Sequence, residues 1–175
     1  LTVGNIILTG YMGSGKSTVS RELEKLTGLK MLDTDARIEQ DAGKSITRIF
    51  AEEGEDAFRD METELLNELL RSGFKGILST GGGMPVRRDN RILMSRLGAV
   101  FYLKASPETI CNRLVNDTTR PLLAGETKEG KLEKIKNMLE MRKEAYESGA
   151  DHIIITDGVC VKDIASEILK AAYMQ

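Results

Sequence analysis

The chain has 175 residues and a mass of 19.3 kDa, enough for one α/β domain with a real core. Its 25 basic and 27 acidic side chains nearly cancel, giving a formal net charge of -2 and no basic stripe of the kind a nucleic-acid binder carries. No apolar run approaches the ~20 residues that span a bilayer, residues 1–9 lack the features of a secretory signal, and Cys111 and Cys160 form no CxxC pair, so a soluble, cytoplasmic chain with reduced thiols is expected.

Residues 5–9 (NIILT) form a short apolar run ending at glycine, the pattern of a buried strand. Val19, Leu23 and Leu26 then recur at helical spacing until Gly28, and residues 30–33 read as a second strand. The stretch 35–70 is mostly helical, broken at Gly43 and Gly54, with Ser45 as an N-cap and Phe58, Met61, Leu65 and Leu69 as an apolar stripe. Residues 76–80 (GILST) predict a third strand running into three glycines, and residues 99–104 (AVFYLK) a fourth. Ser106-Pro107-Glu108 opens a helix with a cap, a proline and an early acid. From 116 to 130 the pattern dissolves, then a long helix resumes to Tyr146. A fifth strand (HIIIT, 152–156) and a last amphipathic helix, with Val161, Ile164, Ala165, Ile168 and Leu169 on one face, complete the chain. Alternating strands and helices without repeats or linkers predict one domain, a parallel sheet covered on both faces.

Residues 10–17 read GYMGSGKS, a complete G-x-x-x-x-G-K-[ST] between a predicted strand and a predicted helix. Glycines let the backbone wrap phosphate oxygens, the helix adds its positive end, Lys16 reaches the β- and γ-phosphates, and the Ser17 hydroxyl suits magnesium. A GTPase would need an NKxD-type element, and Thr127-Lys128-Glu129-Gly130 lacks the aspartate. A motor or helicase would be longer, with an apolar strand ending in an acidic pair. A small-molecule kinase needs a second pocket beside the γ-phosphate and a lid.

Candidates for both exist. Asp33 and Asp35 stand at the end of the second strand, where an i, i+2 pair in extended chain points to one face. Taken alone they read equally as turn and N-cap acids; beside a phosphate site they read as magnesium-shell and acceptor-hydroxyl carboxylates. Arg59 and Glu62 can pair across one turn, a spacing more often met on solvated surfaces. Gly81, Gly82 and Gly83 would let a ligand approach the backbone, or form a plain tight loop. Arg120, in the patternless segment, reads as a lid arginine or a surface residue. Arg142 continues the stripe of Leu132, Ile135 and Leu139, which is unusual for arginine without an anionic partner. His152, Cys111 and the eight methionines read as structural.

The strings GYMGSGKST, LDTD, IFAEEGEDAFRDME, STGGG, RPLL and MRKEAY, in that order, resemble the shikimate kinase family nearly end to end. The resemblance implies a nucleoside monophosphate kinase-like fold with a five-stranded parallel sheet in order 2-3-1-4-5. It implies a single kinase domain over 1–175, with the P-loop at 10–18, a helical substrate-binding region at about 35–70 and a lid at about 115–130. The implied reaction moves the ATP γ-phosphate to the 3-hydroxyl of shikimate, with Mg2+, in aromatic amino acid biosynthesis. By the same resemblance ATP is held by Gly13, Ser14, Gly15, Lys16, Ser17 and Thr18, with Arg113 packed on adenine. Ser17 and Asp33 serve the metal, and Lys16, Asp35 and the lid Arg120 act in catalysis. Shikimate is held by Asp35, the clamp Arg59 and Arg142, and the loop Gly81, Gly82 and Gly83. A monomer with no protein, nucleic-acid or membrane partner is the family habit. Leu114, where the family often has threonine, and the lid tip depart from the pattern. Two alternatives stand beside this reading: a sister kinase for another polyol acid such as gluconate, and a P-loop nucleotide switch.

Overall fold

A computed structural model describes residues 4–114 and 127–173. Five parallel strands form one sheet in the order β2-β3-β1-β4-β5, the expected order: β1 (Ile6–Thr9), β2 (Met31–Asp33), β3 (Ile77–Ser79), β4 (Ala99–Lys104) and β5 (His152–Ile155). The helices are α1 (Lys16–Thr27), α2 (Thr34–Ala42), α3 (Ile46–Arg71), α4 (Arg88–Leu97), α5 (Pro107–Leu114), α6 (Lys128–Ser148) and α7 (Val161–Tyr173), with a 3₁₀ turn at Met84–Val86.

Period-two alternation along the central strand decides what covers each face. Ile7 points to one side, with Leu78 and Val100 of the neighbouring strands, and α3 and α4 cover it with Phe58, Leu66 and Met94. Ile6 and Leu8 point to the other, where α1 and α7 supply Val19, Leu23, Ile164 and Ile168. A third cluster joins Ile110 and Cys111 of α5 to Ile135 of α6. His152 stacks on Phe101 with ring centroids 5.0 Å apart, a structural contact as expected.

Breaks fall at the predicted glycines. Gly43 ends α2 in the left-handed region, and Gly54 (φ 88, ψ 172) kinks α3, whose Ser45 cap accepts from the Arg48 N–H. Three expectations need correction. Leu26, at helical spacing from Leu23, is 54% exposed, because the buried stripe of α1 is set by Val19 and Leu23. The helix after the patternless segment starts at Lys128 rather than past residue 130, with the Thr127 hydroxyl accepting from the Gly130 N–H as its cap. Between the glycines and β4 lies α4, a helix absent from the sequence reading. Asn90 locks it in place: its Nδ2 donates to the Met84 carbonyl, and its Oδ1 accepts from Thr63 of α3.

Candidate functional site

The carboxyl ends of β1, β2 and β3 open into one cleft of about 410 Å³. It is lined by Lys16, Ser17, Asp33, Asp35, Gly82 and Arg113, so a parallel sheet has carried distant stretches of chain to one edge. A second hollow of about 440 Å³, beyond β4, is lined by Lys104 and Lys143 and holds none of the expected site residues.

The P-loop leaves β1 and enters α1 through Gly15, whose φ of 101 lies where a side chain would be strained. No side chain caps α1. Lys16 Nζ donates to the Gly10 carbonyl at 2.7 Å and the Tyr11 carbonyl at 3.1 Å, curling back over the loop. Ser14 is buried, while Ser17 and Thr18 are exposed in the first turn. Across the cleft, Arg113 Nη1 donates to the Gly13 carbonyl at 3.0 Å and Nη2 to the Thr156 carbonyl at 3.5 Å, tying α5 to the loop and to the end of β5.

Asp33 and Asp35 do line the cleft together, though not by strand alternation. β2 stops at Asp33, whose Oδ1 caps α2 by accepting from the N–H groups of Asp35 (3.0 Å) and Ala36 (3.1 Å). Asp35 is already helical. The cap, rather than an extended pair, sets their separation.

The acceptor side is built around the glycine loop. Thr34, fully buried, accepts the Gly81 N–H at 2.8 Å. The Asp35 carboxylate lies directly against the Gly81 Cα, and Glu62 Oε1 would sit 3.2 Å from any added Cβ. The Arg59 guanidinium lies against Gly83 in the same way, with Cζ 2.6 Å from the position of a Cβ. The glycines thus let the protein's own carboxylates and guanidinium pack close to the loop backbone. From α6, Arg142 Nη1 donates to the Gly82 carbonyl at 3.3 Å.

Arg59 and Glu62 overturn the surface reading of their spacing. Their side chains are 11% and 0% exposed, and Arg59 Nη1 donates to Glu62 Oε2 at 2.8 Å. Arg59 Nη2 donates to Glu55 at 2.8 Å, and its guanidinium stands 5.4 Å from the Phe58 ring centroid. Burial pushes the Glu62 carboxyl up to about 7, against the pull of Arg59 and Arg142 and with added repulsion from Asp35. Its Oε1 is buried without a hydrogen-bond partner among the described residues. A signal was present in the sequence: Glu62 lies four residues after Phe58 and three before Leu65, on the buried stripe. Tyr146, four residues beyond Arg142, also continues a buried stripe and was not singled out. Arg120 lies outside the described residues, as does most of the segment read as a lid.

A family profile described as "Shikimate kinase" matches residues 12–173. The chain belongs to the shikimate kinase family. It is 42% identical over 166 residues to the shikimate kinase of Histophilus somni, spanning 94% of this chain and 93% of that one. Against the Legionella pneumophila shikimate kinase it is 40% identical over 171 residues, spanning 98% and 95%. The structure of the Acinetobacter baumannii shikimate kinase in complex with shikimate superposes with a TM-score of 0.86 at 39% identity, over 99% of this chain and 94% of that one. The family's shikimate kinase from Bacteroides thetaiotaomicron gives a TM-score of 0.88 at 29% identity, over 97% and 98%.

Proposed function

We propose that the protein transfers the γ-phosphoryl group of ATP to the 3-hydroxyl of shikimate, releasing ADP and shikimate 3-phosphate in the route to aromatic amino acids. The observation that carries this is the meeting of Arg59, Arg142, Asp35 and Glu62, from three helices, on one glycine loop beside the P-loop.

The nucleotide side follows from the loop. Gly13, Ser14, Gly15, Lys16, Ser17 and Thr18 cradle the phosphates, with the Ser14 N–H bracing the loop through its bond to the Tyr11 carbonyl, while Lys16 neutralises the β- and γ-oxygens and Arg113 packs on adenine. A hard cation needs few protein ligands beside phosphate and water oxygens. The exposed Ser17 hydroxyl, with Asp33 on the same cleft, fits that donor set. Bound there, Mg2+ would offset phosphate charge.

On the acceptor side Arg59 and Arg142 grip the carboxylate, a planar pairing that lysine cannot copy. Glu62 holds Arg59 in place. Gly81, Gly82 and Gly83 keep the wall free of side chains, and the Gly82 N–H donates to the substrate. Asp35 orients the 3-hydroxyl and accepts its proton as the new oxygen–phosphorus bond forms and the bond to the ADP oxygen breaks. Such transfers have loose transition states, so alignment and charge neutralisation matter more than a strong base. Lys16 and the lid Arg120 therefore rank above Asp35 in setting the rate.

A gluconate-type kinase would not need this buried arginine, and a nucleotide switch would have no use for an acid pocket next to the phosphates. By family habit the proposed enzyme is a cytoplasmic monomer. Among the described residues no helix is long and apolar enough to cross a membrane. ADP release measured with shikimate, gluconate and nucleoside monophosphates tests the assignment: shikimate alone should stimulate turnover. Stimulation by another acceptor without shikimate activity would end it.

A further inference from the structure

Arg142 is not the sole residue of α6 that reaches Gly82. One turn on, Tyr146 is fully buried, its ring stacked on Tyr102 with centroids 4.9 Å apart and planes 17° from parallel. Its hydroxyl donates to the Gly82 carbonyl at 2.6 Å, while Arg142 Nη1 donates to the same oxygen at 3.3 Å. A carbonyl oxygen accepts two donors, but these two are unequal. The first is short and set by a ring locked in a stack. The second lies at the long end of the N–H···O range and belongs to a long, half-buried side chain. Burial holds the Tyr146 phenol above its usual range, which keeps it a donor at neutral pH.

We infer that Tyr146 is a positioning residue: its hydroxyl alone holds the Gly82 carbonyl when Arg142 turns from that oxygen to the carboxylate of the acceptor. The inference rests on the shikimate kinase reading. The short bond is permanent and the long one is a resting contact. Without the hydroxyl, Arg142 becomes the one remaining donor to Gly82 among the described residues, and its departure would strand a partly buried carbonyl. The guanidinium is then held back from the acceptor, so the loss falls on acceptor affinity and leaves the nucleotide side alone.

Tyr146→Phe keeps the ring and the stack and removes the hydroxyl. It should raise the KM for shikimate about tenfold, equivalent to about 1.4 kcal/mol, with the KM for ATP changed by less than about twofold and the Tm nearly unchanged. Tyr102→Phe, which alters the other ring of the stack, should leave all three within the same limits. In an Arg142→Ala background, Tyr146→Phe should add nothing, because no guanidinium remains to be released. Equal penalties in both backgrounds, or parallel losses for ATP and shikimate, would overturn the inference while wild-type turnover of shikimate keeps the functional assignment standing. Absent shikimate turnover in the wild type would sink both together.

Discussion

Replacing Glu62 by glutamine probes the site through its pH dependence. The carboxyl is wholly buried and pushed from 4.5 to about 7, burial outweighing Arg59 and Arg142 while Asp35 adds repulsion. An acid whose folded-state pKa exceeds its unfolded value binds its proton more tightly when folded. Stability therefore declines as pH rises from about 4.5 to about 7 and stays at the lower level above that. At 1.36 kcal/mol for each pH unit, this single group removes about 3 kcal/mol across that window. Glutamine retains an oxygen for Arg59 but cannot titrate, so the variant escapes the decline whatever its absolute stability. Urea unfolding of both proteins at pH 5, 6, 7 and 8 reads the difference directly. The gap between the two should move by roughly 2–3 kcal/mol in favour of Glu62→Gln between pH 5 and 8. Parallel curves would refute the burial argument and return the Arg59–Glu62 pair to the surface.

Other expectations follow from the same geometry. Gly83→Ala places a Cβ on the Arg59 guanidinium and costs the charge-assisted bond to Glu62, so the KM for shikimate should rise roughly tenfold to a hundredfold while ATP affinity holds, as titrations of each substrate would show. Leu23→Ala, in the core between α1 and the sheet, should lower unfolding free energy by about 2–5 kcal/mol; Leu26→Ala, at an exposed position, should stay within about 0.5 kcal/mol in the same denaturation assay. Arg120→Ala should reduce kcat far more than it raises the KM for shikimate, and equal effects on both would make it a positioning residue instead.

Much of the scaffold was legible because its signals are local. The apolar runs of β1, β4 and β5 and the glycine breaks at Gly28, Gly43 and Gly54 depend on near neighbours in the chain. Helix α4 was not, since Leu93, Met94 and Leu97 are a short stripe among arginines, aspartate and asparagine, and one of the two Asn90 bonds that fix it comes from Thr63 on the distant α3. The site divides the same way. The P-loop is contiguous and was readable outright. The Arg59–Glu62 pair was readable only in part: Glu62 falls on the Phe58–Leu65 stripe, but three-residue spacing is identical on a wet and a dry helix face, and what dries this one is the glycine loop from β3 lying against it. Asp33 was placed in the right cleft with its N-cap reading left open, and that capping of α2, at the point where β2 ends, is what sets its geometry.

The account stands most directly on how the protein treats the negative charge of its acceptor. The KM for shikimate and for its methyl ester should be compared in the wild type and in Arg142→Ala. The wild type should disfavour the uncharged ester strongly, by roughly a hundredfold for a charge-assisted bidentate contact, and the variant should lose most of that preference. An unchanged ratio of acid to ester in Arg142→Ala would mean that the guanidinium on α6 does not hold the carboxylate, and the clamp would have to be sought elsewhere.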